Sequence, residues 1–123
     1  MDNKSKTFTD LIVWQKGHQL VLDLYKTTND FPREELFGLT SQMRRCVVSI
    51  TSNIAEGFGR KSYKEKINFF FVSKGSLVEL QIQLIISKDI GFLDENKFNI
   101  IYNQSVEVHK ILNSLITKSR TQL

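Results

Sequence analysis

The chain has 123 residues, 41% of them hydrophobic and 24% charged, with six glycines and one proline. A chain of this length holds one compact core, since domains commonly run about 100–150 residues, and this balance excludes disordered and collagenous classes. Its net charge of +4 and pI near 9.3 favour anionic partners, and the single cysteine, Cys46, excludes an intrachain disulfide.

Residues 1–9 read as a flexible N-terminal arm with neither the apolar core nor the cleavage site of a secretory signal. The first helical pattern covers 10–28: Leu11, Trp14, His18, Val21 and Tyr25 recur three or four apart, and Leu20 and Leu24 widen the stripe. Thr9 or Asp10 is placed to cap it, and Phe31-Pro32 ends it. The second pattern covers 33–56, with Leu36, Leu39, Met43, Cys46, Val47, Ile50 and Ile54 on one stripe and Gly38 marking a separate initial turn. Gly57-Phe58-Gly59 is read as its stop, because glycine tolerates the left-handed conformation that closes a helix.

Ser62-Tyr63-Lys64-Glu65 has capping-box spacing and opens a third helix over 62–90, about 42 Å long. Ile67, Phe70, Phe71, Leu77, Leu80, Leu84 and Ile85 are its expected core face, and Ile90-Gly91 its end. Asp94 caps a fourth helix over 94–119 whose stripe is Phe98, Ile101, Val108, Ile111, Leu112 and Leu115. No stretch alternates as a half-buried strand does, and the short links force antiparallel neighbours. The expected fold is therefore all-α, an antiparallel up-and-down four-helix bundle occupying residues 10–120. The apolar runs, including the one ending at Ile86, are interrupted by Gln, Ser and Glu short of the roughly 20 residues that span a bilayer. No membrane partner and a cytoplasmic location are expected.

Catalytic and metal chemistry find no footing in these patterns. Di-iron bundles use Glu-x-x-His, and neither His18 nor His109 has a Glu three residues before it. Cys46 lies on an apolar stripe, and Gly57-Phe58-Gly59-Arg60-Lys61-Ser62 lacks both the spacing and the preceding strand of a phosphate loop. The expectation is no enzyme, no catalytic residue, no metal and no cofactor.

Binding surfaces are better signalled. Between Gly57 and Lys66, Arg60, Lys61, Lys64 and Lys66 stand against Glu65 alone, a net charge of +3 in ten residues. With Lys4, Lys6, Lys118 and Arg120 near the chain ends, this cluster is the candidate nucleic-acid-binding surface. Arg44 and Arg45 are added to it from the polar stripe of the second helix, with pairing to Glu65 or Glu79 across helices as the competing role. Ser73, Gly75 and Ser76 sit mid-helix, and Gly17 poses the same question: another helix must approach closely, in the same bundle or from another subunit. Phe69-Phe70-Phe71 spans about 200° of helix surface, too wide for one core stripe. Phe58, Phe69, Ser73 and Ser76 are accordingly expected at an oligomer interface.

Several segments carry a resemblance: Leu11 to Lys16, Phe31-Pro32, Phe37-Gly38-Leu39, Gln42 to Arg45, Ser49-Ile50, Ser52 to Gly57 and Gly75 to Leu80. Together they resemble the four-helix-bundle proteins encoded by intervening sequences of bacterial 23S rRNA genes. The likeness covers about Phe8 to Leu93, most specifically Ser49 to Gly57, and the last helix matches only in length and amphipathicity. The resemblance implies a ring-shaped homopentamer of a family with no established enzymatic activity, and kinship with the accessory protein of diversity-generating retroelements, a basic bundle that binds a reverse transcriptase and nucleic acid. The functional expectation is an oligomer that binds RNA or a nucleoprotein through its basic residues. The alternative is a protein-interaction scaffold with no direct nucleic-acid contact.

Overall fold

A computed structural model describes residues 5–123 as four α-helices: α1 Ile12–Thr28, α2 Leu39–Gly59, α3 Tyr63–Asp89 and α4 Glu95–Arg120. Lys4 and the start of the expected arm lie outside the described residues. Each helix packs on two neighbours, α1 on α2 and α4 and α3 on α2 and α4, the ring of neighbours expected of an up-and-down bundle. Leu20, Leu24, Met43, Val47, Ile50, Ile54, Leu77, Leu80, Leu84, Ile101, Val108 and Leu112 form the sealed centre.

The start of the bundle differs from the expectation. Phe8–Asp10 forms a 3-10 turn that joins the end of the expected arm to the bundle. The Asp10 carboxylate accepts the backbone N–H groups of Lys6 at 2.9 Å and Thr7 at 3.1 Å, so it caps that turn, and α1 begins after Leu11 without a side-chain cap. Phe8 then stands edge-on to Trp14, which stacks on His18. The buried face of α1 is Val13, Gly17, Leu20 and Leu24, turned from the expected stripe so that Tyr25 and His18 are exposed. At Gly17 a Cβ would already meet Thr51 Cγ2 at 3.0 Å, so the rotation is fixed by the close approach of α2.

A separate 3-10 turn at Arg33–Glu35 precedes α2, and Glu35 Oε1 accepts the N–H of Leu39 at 3.1 Å, so Leu36 is left outside the core stripe. At its other end α2 runs straight through Gly57 to Gly59, and among the described residues only Gly91 has positive φ, at 88°. α2 thus ends inside the expected Gly57-Phe58-Gly59 stop, at Gly59 and without a left-handed residue, while Gly57 itself is helical. A Cβ there would lie 2.6 Å from Phe70 Cε1 and 3.1 Å from the Lys66 carbonyl, so the missing side chain is what lets α3 fold back against α2.

The cap expected at Ser62 is half formed: its Oγ accepts Glu65 N–H at 3.1 Å, but the hydroxyl, not the Ser62 amide, donates to Glu65 Oε2, at 3.2 Å. Gly91 in the left-handed region closes α3, with Phe92 N–H bonded to Ser87 O at 2.9 Å, and Asp94 accepts Lys97 N–H at 2.8 Å to start α4. By length and composition α3 qualifies as a candidate membrane span, which the sequence reading did not foresee. It nonetheless lies within the bundle and buries Ile67, Phe70, Ser73, Leu77, Leu80, Gln83, Leu84 and Ser87.

The two glycines ending α2 separate the roles assigned to them. Gly57→Ala is expected to destabilise the fold by about 1–3 kcal/mol through overpacking against Phe70. Gly59→Ala, with open space around it, is expected to be neutral or to stabilise by under about 1 kcal/mol. Urea unfolding of the two variants measures both, and equal losses would restore the helix-stop role.

Candidate nucleic-acid interface

The seam between α2 and α3 is polar and narrow. Ser73 Oγ donates to Ile50 O at 2.8 Å, Cys46 Sγ to Ser76 O at 2.9 Å, and Ser49 and Ser76 hydroxyls meet at 2.9 Å. Asn53 Nδ2 adds bonds to Ser49 O at 2.8 Å and Ser49 Oγ at 3.1 Å. These contacts correct the expected oligomer interface: Ser73 has 0% exposure and Ser76 is tied to its own chain. Burial, with Glu79 nearby, pushes the Cys46 thiol up to about 12, so it is a packed side chain with no thiolate at neutral pH.

Of the three consecutive rings, Phe70 is the core one at 2% exposure. Phe69 is half-buried beneath the Arg60 guanidinium, 4.6 Å from its centroid, and Phe58 packs on the end of the core. The ring that reaches the surface is Phe71, at 39% exposure, with Arg120 and Lys74 over it. Phe71 begins a face that the sequence reading missed: Phe71, Val72, Val78, Ile82, Ile85, Ile86 and Ile90 all point outward from α3. Gly75 lies in the middle of that face, where a Cβ would meet nothing within 4 Å. Its reason is therefore not an approach within the bundle. The signal was present in the sequence, since α3 is apolar on nearly every side.

The basic candidates divide into used and available charges. Arg44 is used: it donates to Thr28 Oγ1 at 2.9 Å, Asn29 Oδ1 at 3.1 Å and Tyr25 O at 3.4 Å, and covers the Tyr25 ring at 4.7 Å. It clamps the end of α1 to α2, and no ion pair links Arg44 or Arg45 to Glu65 or Glu79 among the described residues. Arg60 is partly used, 3.1 Å from Glu56 Oε2 and 4.0 Å from Glu65 Oε1. Lys66 is turned inward, where Nζ donates to Phe58 O at 2.7 Å and caps the α2 C-terminus; burial lowers its pKa. Lys61, Lys64 and Arg45 are exposed.

What the folding adds is polarity along the bundle axis. One half, residues 5–19, 50–75 and 105–123, carries ten Lys and Arg against four Asp and Glu. The other half, 20–49 and 76–104, carries six against eight. The antiparallel turns thus bring Lys61, Lys64 and Lys74 into the same half of the bundle as Lys110, Lys118 and Arg120, and Lys74 and Arg120 meet over the Phe71 ring.

His109 on α4 reports this field: burial and then the Lys74 ammonium lower its pKa from the ordinary 6.5. A lowered value means that the folded state holds the proton less well than the unfolded one. The stability it contributes is complete above the unfolded value and is lost as pH falls through the folded one. Thermal melts at pH 7.5 and 5 are expected to show a smaller acid loss in His109→Gln than in the native chain, and an equal loss would remove His109 from the balance.

Among the described residues no three His, Cys, Asp or Glu side chains are grouped to hold a metal ion. The crystal structure of a protein with unknown function from the S23 ribosomal protein family of Bacteroides thetaiotaomicron VPI-5482 has the same fold, with a TM-score of 0.76. It is 24% identical, and the match covers 85% of this chain and 98% of that one. No curated protein matches the chain. The family described as 23S rRNA-intervening sequence protein matches residues 9–114, reaching well into the last helix, where the sequence reading found only length and amphipathicity. With most of its length matched, four helices in place and the same fold in a solved relative, the chain belongs to the 23S rRNA-intervening sequence protein family.

Proposed function

We propose that the protein is a non-enzymatic oligomeric bundle that binds RNA through its basic end. The observation that carries this reading is the axial polarity, an excess of six positive charges in the half of the bundle that holds the α2–α3 turn and the last turns of α4. Phosphate contacts from Lys and Arg supply most sequence-independent affinity, and family membership in a class described by an intervening sequence of 23S rRNA favours RNA as the anion.

Assembly follows from the outer face of α3. A helix with an apolar outer face as well as an apolar inner one is best covered by a second partner beyond its own core. Phe71, Val78, Ile82 and Ile86 supply the apolar area, and Gly75 leaves room for a close approach. Charges at Lys64, Lys66, Lys74, Glu79 and Lys88 along α3 favour another protein chain over lipid. Because α3 runs parallel to the bundle, copies joined side by side about an axis along the bundle present all their basic ends together. A ring, five-membered by the family resemblance, would thus multiply a weak patch. The scaffold alternative draws on the same face and on Phe37, which is 93% exposed at the acidic end. A partner retained in pull-downs after nuclease treatment would favour it.

Two measurements test the proposal. Lys61→Glu with Lys64→Glu is expected to weaken RNA binding and to flatten its salt dependence by about 0.7 in log–log slope per lost single-strand contact; unchanged affinity and slope would overturn the basic-end reading. In light scattering the native chain is expected to exceed its single-chain 14.3 kDa, and Ile82→Glu, at a 53% exposed position, to return it to that mass with helicity intact. A native monomer would refute the assembly.

A further inference from the structure

The two ends of the bundle are closed differently. At the acidic end Phe31 and Phe92 pack with ring centroids 5.7 Å apart and, with Leu93, plug the core. At the basic end a cavity of about 370 Å³ stays open between the α2–α3 turn, the start of α1 and the last turn of α4. Its volume falls in the small-ligand range of roughly 300–1,000 Å³.

The chemistry of its walls is specific. Leu11, Phe58, Phe70 and Leu115 make an apolar interior, the exposed Tyr63 ring stands at its edge, and the charged side chains lining it are Lys66 and Lys118. Lys66 is fixed in place by its 2.7 Å bond to Phe58 O, and its ammonium lies 5.7 Å from the Phe58 centroid and 5.9 Å from that of Tyr63. Lys118 is exposed, and it also borders a neighbouring cavity of about 230 Å³ that shares Leu11 and Leu115. Aromatic walls select a flat ring, and Lys118, the lining cation not already bonded to the chain's own carbonyls, selects an anion attached to it. An RNA base with its phosphate has both features.

We propose that this cavity takes one unpaired base of a single-stranded RNA, stacked against Tyr63 and Phe58 with its adjoining phosphate at Lys118. The assignment rests on the basic end being an RNA surface and gives that surface its selectivity. A paired base is held in its helix and does not reach such a pocket, whereas unstacked bases of single strands are recognised by stacking on aromatic rings. Lys61 and Lys64, on the exposed rim of the same end, then contribute backbone attraction that is indifferent to strandedness.

The test compares a mixed-sequence single-stranded oligoribonucleotide with a fully paired RNA duplex of equal length. The native chain is expected to prefer the single strand. Tyr63→Leu, at an exposed position, and Leu115→Trp, which fills the cavity, are each expected to weaken single-strand binding about tenfold, a typical loss for one stacked base, and to leave duplex binding unchanged. Circular dichroism melts qualify the variants, and Tyr63→Leu decides the matter if Leu115→Trp does not fold. Equal native affinity for both RNAs, or single-strand affinity unchanged in folded Tyr63→Leu, overturns the pocket; if Lys61→Glu with Lys64→Glu still weakens binding, the basic-end reading survives. No RNA binding by the native chain overturns both.

Discussion

The rest of the bundle depends on how closely α3 lies against α2. Gly57 gives the Phe70 ring the space a side chain would fill, and one to two turns further along α3 small hydroxyls take over: Ser73 bonds the Ile50 carbonyl and Ser76 meets Ser49. Side chains of ordinary size would hold the helices apart, and the buried hydroxyls would then lose partners whose absence costs about 1–3 kcal/mol each. The stretch from Ser49 to Gly57, which carries the most specific part of the family likeness, thus supplies much of α2's share of this seam.

That seam decides which side chains become available at the surface. With α3 folded back directly after α2, Lys66 falls beside the last α2 carbonyls and is consumed as a cap, while Arg60 is held by Glu56 and Glu65 above Phe69. Lys61 and Lys64 face solvent. The α3–α4 pairing then adds Lys110, Lys118 and Arg120 from the far end of the chain, so a charge run that is mild in sequence becomes one pole of the bundle. Arg44 belongs to the other half, where its guanidinium binds the end of α1. Proximity in sequence to another arginine said nothing of that.

Helix number, order and most boundaries were legible because they rest on local signals: apolar spacing, the caps at Ser62 and Asp94, and Gly91 with its positive φ. The errors occurred where a residue type serves two physical purposes. Glycine closes helices and also admits neighbours, and only the position of Phe70 reveals that Gly57 does the second. Serine in a helix is equally at home at a subunit boundary or in a seam, and Ser73 is placed by the Ile50 carbonyl that no local pattern names. For the candidate site, the basic turn was visible but the pole was not, since half of it comes from residues that meet only through topology. The cavity was invisible for the same reason: Leu11, Phe58 and Leu115 come from three separate helices or their approaches.

α3 explains why periodicity misplaced Phe71 and Ile85. An amphipathic helix announces its core face because its other face is polar, but α3 has an inner face of Leu77, Leu80 and Leu84 and an outer one of Phe71, Val78, Ile82 and Ile86. The contrast on which a stripe is recognised is therefore nearly cancelled. In the single bundle that outer face meets water, and its lysines and Glu79 make lipid a costly cover. A second copy of the bundle is the economical alternative, since it brings the same apolar face and leaves the ends free. The basic pole and the outer face of α3 are separable, one lying across the bundle axis and the other along it, so the proposed association would hide the apolar side without hiding the charge.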